Sequence, residues 1–295
     1  MTQFLMARIN SWSESGSEGQ PGPSREPGLP KAAFIIGKAI RMNECDILEE
    51  AKRRFVVGLD LWCKERNDRN ELNDEVVVGS PLSSREAIGE LDRDDFPLLR
   101  GKEVLMQAVY RGSAGQAFTS VSGSFKGTLG DVLELPLTGS FRRAVLISTM
   151  NAVLRNLGLI EKTVHCKDDG PKRCAASMAE WINEQGSDMV GLVGMQPALL
   201  EALVQTLGPE RVMVSDLAEA GSVHCGVKVL DGMDSSEMFE RCQLILMTGS
   251  TLANGTINGL MENAKRHKRM VVFYGTTIAG TAYLMGWERW CACSI

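Results

Sequence analysis

Residues 188–217 read DMVGLVGMQPALLEALVQTLGPERVMVSDL, and this stretch decides the fold class. Its first part, Asp188 to Met195, is a continuous apolar run of the kind that forms a strand buried on both faces of a parallel sheet. A helical stretch begins at Pro197, and a second apolar strand ends near Asp216. Strand, helix and strand in this order predict a βαβ unit within an open, mostly parallel sheet.

The same alternation continues on both sides of this unit. Upstream, EKTVHC (161–166) predicts the end of a strand, and PKRCAASMAEWINEQG (171–186) predicts a helix. Downstream, helix and strand signals alternate in SSEMFERC, QLILMTGS, TLANGTINGLMENAKRHK and RMVVFYGTT. The prediction is an α/β protein whose residues 136–295 form a Rossmann-like, mostly parallel α/β domain.

Residues 31–135 predict a separate, small α+β domain. Apolar residues at three- and four-residue steps predict a helix from Asn43 to about Asp68. DEVVVG (74–79) and QAFTSVSG (116–123) predict strands, GKEVLMQAVY (101–110) a short helix, and Thr128 with Asp131 a capping box. A long helix, capped by Ser140 and ending near Leu157, follows. Asn151 lies on its apolar stripe, either satisfied within the protein or facing a ligand.

The first 30 residues differ in composition from the rest of the chain. Ser, Gly, Pro and Glu dominate residues 11–30, and such a segment buries too little apolar area to offset the entropy of ordering it. We therefore expect residues 1–30 to be a disordered tail. A chain beginning near Lys31 should melt at the same temperature as the full chain.

Composition excludes several classes of protein. Lys and Arg total 32 against 37 Asp and Glu, a formal charge of −5, which lacks the basic excess of a nucleic-acid binder. The longest apolar stretch, 189–208, is interrupted by Gln196, Pro197 and Glu201, so no membrane span is predicted. No secretory signal is apparent at the N-terminus either. A cytoplasmic protein is expected, with cysteines that serve as thiols, metal ligands or core residues.

HCKDDGPKRC (165–174) is the first candidate site, because it concentrates imidazole, thiol and carboxylate groups. Imidazole and thiolate suit zinc, copper, nickel or iron, and His165, Cys166 and Asp168 are the candidate metal ligands. A thiolate at Cys166 would be stabilised by the neighbouring helix N-terminus. Cys174 continues the apolar face of the following helix, which predicts a core role for it. Cys291 and Cys293 could be a metal pair, although packing is the commoner role of such residues.

TGSTLANGT (248–256) is the second candidate, placed between a predicted strand and a helix. Thr248, Gly249, Ser250, Thr251 and Asn254 offer hydroxyls, an amide and exposed backbone N–H groups, which suit an anionic ligand. The alternative is an ordinary helix start capped by Ser250 or Thr251.

Gly194 and Asp216 extend this candidate ligand site, because they follow two neighbouring predicted strands. Asp216 is equally well explained as a turn residue. The chain lacks the GxGxxG pattern of a dinucleotide fingerprint, and NAD binding is not predicted.

Three segments together resemble the heavy-metal chelation domain family. They are residues 151–175, the loop 248–256 and AGQAFT (114–119). The resemblance covers roughly 43–295 and implies an N-terminal domain similar to the enolase N-terminal fold, followed by a Rossmann-like domain. It also implies an interdomain cleft lined by His165, Cys166, Asp168, Gly194, Thr248, Ser250, Thr251 and Asn254.

Three functional hypotheses follow. The first is binding of a divalent transition metal, or of a metal-chelating small molecule, in the interdomain cleft. The second is an enzyme that acts on a nucleotide-like or pterin-like small molecule, with structural cysteines. The third is an accessory protein that delivers or senses a metal. No catalytic residue is assigned, since no acid–base or nucleophile triad is recognisable. The expected partner is a small-molecule or metal ligand, and a homo-oligomer is left open.

Overall fold

The computed structural model describes residues 46–66, 71–90, 95–96, 98–100 and 103–295. The expected tail at 1–30 lies outside the described residues. Within them the chain is a mixed α/β protein with two sheets. No helix of the described part is both long and apolar enough to cross a membrane.

The smaller sheet is antiparallel and has the strand order β3-β2-β1-β4. Its strands are β1 (Glu75–Val78), β2 (Val104–Tyr110), β3 (Ser113–Thr119) and β4 (Phe125–Thr128). The helices along this part of the chain are α1 (Ile47–Arg66), α2 (Ser84–Ile88), α3 (Leu129–Glu134) and α4 (Ser140–Asn156). Helix α4 packs across β2 and β3, so it covers one face of this sheet.

The larger sheet has the strand order β11-β10-β9-β5-β6-β8-β7, and all neighbouring strands are parallel except the β7–β8 hairpin. Its strands are β5 (Val190–Val193), β6 (Val212–Asp216), β7 (Val223–His224), β8 (Val227–Asp231), β9 (Leu244–Thr248), β10 (Met270–Tyr274) and β11 (Arg289–Trp290). The accompanying helices are α5 (Gly170–Glu184), α6 (Pro197–Leu207), α7 (Ser236–Arg241), α8 (Ser250–Asn254), α9 (Ile257–Arg266) and α10 (Ala279–Met285).

Both faces of the larger sheet are covered, as the apolar runs predict. In β9, Leu244 and Leu246 belong to one buried cluster and Ile245 and Met247 to the other, because alternate residues of a strand point to opposite faces. The first cluster includes residues of α5 and α6; the second includes residues of α7 to α10 and of α4. The core is thus continuous from the larger sheet to the helix that covers the smaller one.

Most predicted elements are present, and three differ. The described part of GKEVLMQAVY is not a helix: Val104–Tyr110 forms β2, the strand between β1 and β3. This strand turns into β3 through Arg111 and Gly112, whose φ angles are +46° and +81°. Two such residues form the turn that suits a two-residue hairpin, so sheet pairing overrides local helix propensity. EKTVHC is not a strand but an irregular segment. The long helix after residue 250 is split into α8 and α9 at Gly255, whose φ is +80°.

One of the two predicted helix caps is absent. Ser140 does not cap α4, since the N-cap is Gly139 without a side-chain hydrogen bond. Thr128 and Asp131 do form the predicted capping box of α3, with the Asp131 N–H donating to the Thr128 Oγ1 at 3.1 Å. The predicted boundary between residues 135 and 136 stays a prediction, because α4 packs on the smaller sheet while its core residues also join those of the larger one.

Candidate functional site

The carboxyl edge of the larger sheet carries a topological switch point between β5 and β9. From β5 the chain continues to β6 on one side, and it later returns to β9 on the other side. Ligands of open α/β sheets bind at such a point, outside the carboxyl ends of the strands. The predicted residues Gly194, Asp216 and Thr248 all lie at this edge, since each ends or follows one of these strands.

Gly194 leaves no room for a side chain. Its φ is +87°, and a Cβ placed on it would lie 2.5 Å from Thr248 Cγ2 and 3.1 Å from Tyr274 Oη. The Tyr274 hydroxyl donates to the Gly194 carbonyl at 2.6 Å and lies 3.2 Å from the Val193 carbonyl. Gly194 therefore packs β5 closely against the ends of β9 and β10.

Asp216 is held by backbone N–H groups at both carboxylate oxygens. Oδ2 accepts from Met195 at 2.8 Å, and Oδ1 accepts from Ala218 at 2.7 Å and Glu219 at 3.2 Å. Asp216 therefore has the role of a turn residue, one of the two roles that the sequence allows for it. It also fixes a half-buried carboxylate at the switch point.

Several polar side chains of the loop after β9 form hydrogen bonds within the loop itself. The Thr251 hydroxyl donates to the Thr248 carbonyl at 2.7 Å, and the Thr248 and Ser250 hydroxyls lie 3.1 Å apart. Neither Ser250 nor Thr251 caps α8, whose N-cap is Gly249 without a side-chain hydrogen bond. A Cβ on Gly249 would lie 2.6 Å from the Ile278 nitrogen, so protein backbone occupies that space.

Asn254 ends α8, a helix that packs against α4 and β3. Thr248 ends β9 and Ser250 begins α8, so these two residues lie nearer in the chain to the end of β9 than Asn254 does. The assignment of Thr248, Gly249, Ser250, Thr251 and Asn254 to a ligand stays a prediction.

Glu103 is a further candidate at this edge, and the sequence patterns do not point to it. It directly precedes β2, yet its carboxyl lies near Asp216 of the larger sheet. Burial, and then the Asp216 charge, raise the pKa of Glu103 to about 7. Burial also raises the pKa of Tyr274, and the charges of Asp216 and Glu103 add to this rise. The sequence around Glu103 contains no signal for a functional site, because charged residues commonly precede strands.

His165 lies on the side of the smaller sheet. Its backbone N–H donates to Gln116 Oε1 at 2.7 Å, and its ring meets the Phe118 ring edge-on at 5.4 Å between centroids. The Phe118 N–H in turn donates to Thr277 Oγ1 in the loop after β10, at 3.0 Å. Phe118 therefore contacts both His165 and the loop after β10.

The tautomer of His165 follows from its partner. Nδ1 lies 2.6 Å from the Cys166 carbonyl oxygen, which can only accept, so Nδ1 carries the proton and Nε2 keeps a lone pair. Burial lowers the pKa of His165 to about 4, which keeps the ring neutral at physiological pH. Histidines that ligate metals typically have this arrangement, with the other ring nitrogen donating to a carbonyl.

Cys166 and Asp168 do not share the surroundings of His165. Burial raises the pKa of the Cys166 thiol, contrary to the expected stabilisation of its thiolate. Asp168 has a φ of +56°, its N–H donates to the Ile88 carbonyl at 2.9 Å, and its Oδ1 accepts from the Glu90 N–H at 3.0 Å. Asp168 thus joins the start of α5 to the end of α2. Cys174 packs against the core, as predicted.

No three histidine, cysteine or carboxylate side chains in the described ranges form a group that could hold a metal ion as it stands. His165, Cys166 and Asp168 stay a predicted ligand set. The amide of Asn151 is hydrogen-bonded within the protein. Its Nδ2 donates to the Gln116 and Thr276 carbonyls at 3.0 and 3.1 Å, and its Oδ1 accepts from the Gly280 N–H at 2.7 Å.

Comparison with known proteins supports the family resemblance. Residues 177–283 match the model of the DUF364 family, described as "Putative heavy-metal chelation". The matched segment begins in α5 and ends in α10, so it contains the switch point. The comparison with curated proteins finds no match.

Two solved structures of the same family are similar to this chain. One, from Pyrococcus horikoshii, is 14% identical, with a TM-score of 0.43, and the alignment covers 78% of this chain and 79% of the other. The second, from Desulfitobacterium hafniense DCB-2, is 16% identical, with a TM-score of 0.41, and the alignment covers 62% and 72% of the two chains. Both are described as proteins of unknown function.

Proposed function

We propose that the protein binds a divalent transition metal, or a small molecule that chelates one, at the cleft between the smaller sheet and the carboxyl edge of the larger sheet. The observation that carries this proposal is the approach of Glu103 to Asp216. Glu103 precedes a strand of the smaller sheet and Asp216 ends a strand of the larger one, and the Asp216 charge disfavours ionisation of Glu103. A bound cation, or a cationic chelate, would offset that repulsion.

The surrounding groups support a polar ligand at this position. Thr248 and Ser250 present hydroxyls at the end of β9, and Tyr274 closes the site on the β10 side. His165, with its lone pair at Nε2, packs against Phe118, whose backbone N–H contacts Thr277 in the loop after β10. Imidazole and carboxylate together suit a borderline divalent metal such as Zn²⁺ or Ni²⁺.

Titration of metal-free protein with Ni²⁺ tests the proposal. Glu103→Gln keeps the shape of the side chain and removes its charge, so we expect it to weaken Ni²⁺ binding at least about tenfold, the usual scale for groups that orient or supply ligands. Glu134→Gln, an exposed change on α3, should leave the affinity unchanged. His165→Ala should also weaken binding. Full wild-type affinity in both Glu103→Gln and His165→Ala would refute the proposal.

A second candidate is an enzyme acting on a nucleotide-like or pterin-like small molecule. The pKa of Glu103, about 7, favours it, because a general acid or base works best near the ambient pH. Mass spectrometry of small molecules that co-purify with the untagged protein separates the two candidates. An organic compound without metal, lost in Glu103→Gln, would favour the enzyme.

A further inference from the structure

One face of the larger sheet is incompletely covered at β6 and β8, although the strands of a parallel sheet are normally covered on both faces. The connection from β8 to β9 contains only the six-residue helix α7. Met238 of α7 packs on β5, since a Cβ placed on Gly191 would lie 2.7 Å from Met238 Cγ. Farther along the sheet, on β8, Leu230 is half-buried and Lys228 is exposed.

A cavity of about 250 Å³ lies on this face. Its apolar lining includes Met213 of β6, Leu230 of β8 and Met189, which directly precedes β5. All three side chains belong to or pack against the buried cluster that contains Met238, so they point to the same face of the sheet. The volume is slightly below the about 300–1,000 Å³ of pockets for drug-sized ligands, so the cavity suits a small molecule with an apolar chain.

Two cationic side chains lie beside the apolar lining. Lys228 points to the same face as Leu230, two positions later in β8, and takes part in no ion pair among the described residues. Arg241 ends α7. Its Nη1 donates to Glu237 at 2.8 Å, and its Nη2 lies 3.9 Å from the Met189 sulfur. A ligand in the cavity thus meets the ammonium group of Lys228 and one edge of the Arg241 guanidinium.

The carboxylate of Glu210 does not balance these two cations. Glu210 also contributes to the lining, but its carboxylate lies against Gly208, which is outside the lining. The charge that the cavity presents to a ligand is therefore positive, and the complementary ligand is an anion.

We propose that this cavity, the β6–β8 pocket, binds a small aliphatic carboxylate. The chain of the ligand packs on Met189, Met213 and Leu230, and its carboxylate pairs with Lys228. Each methylene group that the pocket removes from water should strengthen binding by about fourfold. Lys228 is exposed, so its charge adds a smaller factor and mainly sets the orientation of the ligand.

The β6–β8 pocket is separate from the cleft. Met213 lies three positions before Asp216 along β6, a distance of about 10 Å at the usual rise of a strand. Binding in the pocket therefore does not depend on the groups proposed to hold a metal, and the two proposals can fail independently.

Isothermal titration calorimetry of the full chain with octanoate tests the proposal. Octanoate should bind at one saturable site, and hexanoate, two methylene groups shorter, should bind about tenfold more weakly. Lys228→Gln should weaken octanoate binding by about threefold to fivefold. Lys172→Gln is the matched control, because Lys172 is also exposed but lies on α5, which packs on the other face of the sheet. Glu103→Gln, in the cleft, should likewise leave the affinity unchanged.

Nuclear magnetic resonance of the methionine methyl groups needs no substitution in the pocket. Octanoate should shift the resonances of Met189 and Met213 and leave that of Met150, which is buried on α4, in place. Unshifted Met189 and Met213 resonances, or unchanged affinity in Lys228→Gln, would overturn the proposal. A dimer that Leu230→Asp dissociates, with no octanoate binding to either form, would also overturn it and assign this face to a second copy of the chain.

Discussion

At the scale of single residues, Gly194 allows the end of β5 to pack closely against Thr248 and Tyr274. Because its φ is +87° and Thr248 and Tyr274 occupy the space of a Cβ, Gly194→Ala combines backbone strain with a steric clash. We expect a loss of about 2 kcal/mol or more in the free energy of unfolding, measured by urea denaturation. The control is Gly259→Ala in α9, where no atom lies within 4 Å of a new Cβ. That change should stabilise the protein by about 0.5–1 kcal/mol, as Ala replacing Gly in a helix usually does.

Glu103 makes stability depend on pH in a defined direction. Its pKa is about 7 in the folded protein against 4.5 for an unperturbed Glu, so folding favours the protonated form. The stabilisation of the folded protein that comes from protonated Glu103 is therefore fully present below about pH 4.5. It is lost as the pH rises through 7.

Glu103→Gln should consequently raise the thermal midpoint at pH 8, with a gain of about 1 kcal/mol in the metal-free protein, and change it much less at pH 5. Differential scanning calorimetry at both pH values measures the effect. Glu134→Gln, on the exposed side of α3, should show no such dependence. A Glu103→Gln gain that is equal at both pH values would show that the carboxyl does not ionise at the cleft.

At the scale of elements, Asn151 is a buried polar link from α4 to three of its neighbours. One side chain joins β3, the loop after β10 and the start of α10. Asn151→Ala leaves several buried backbone groups without partners, and we expect a loss of about 2–4 kcal/mol in the free energy of unfolding.

Asn156→Ala is the comparison within the same helix. The Asn156 amide makes only longer contacts, 3.3 and 3.4 Å, to Ser113 Oγ and the Arg111 carbonyl. Its replacement should cost less than about 1 kcal/mol. Equal losses for the two variants would mean that the link made by Asn151 is not what stabilises the helix.

At the scale of the whole molecule, the two sheets share one apolar core. Residues of α1, β1, β2, α4, β9 and α10 belong to a single buried cluster. Helix α1 adds polar links, with Asn258 Oδ1 of α9 accepting from the Ile47 N–H at 2.9 Å and the Leu284 carbonyl of α10 accepting from Arg54 at 3.1 Å.

We therefore expect one cooperative unfolding transition, in which far-ultraviolet circular dichroism and tryptophan fluorescence change together with heat or urea. Two separated transitions would mean that the smaller sheet and the larger sheet unfold independently, in spite of the shared cluster.

Local patterns determined the four central strands of the larger sheet, β5, β6, β9 and β10, from the sequence alone. The apolar runs at β5, β6, β9 and β10 are long, contiguous and flanked by turn residues, so each strand is evident without its neighbours. The strand-end rule then directed attention to Gly194, Asp216 and Thr248, and these residues lie together at one edge. The family resemblance rests on residues 114–119, 151–175 and 248–256, and residues 177–283 match the family model.

Only the tertiary structure decided the features that depend on distant partners. β2 is a strand because β1 and β3 flank it, although its residues favour a helix locally. Glu103 comes within electrostatic range of Asp216 only because the smaller sheet packs against the larger one. Val164 pairs with Ile295 only because the C-terminus returns to residues 161–166. Periodicity reports which face of an element is apolar; it carries no information about which distant polar groups that face will meet.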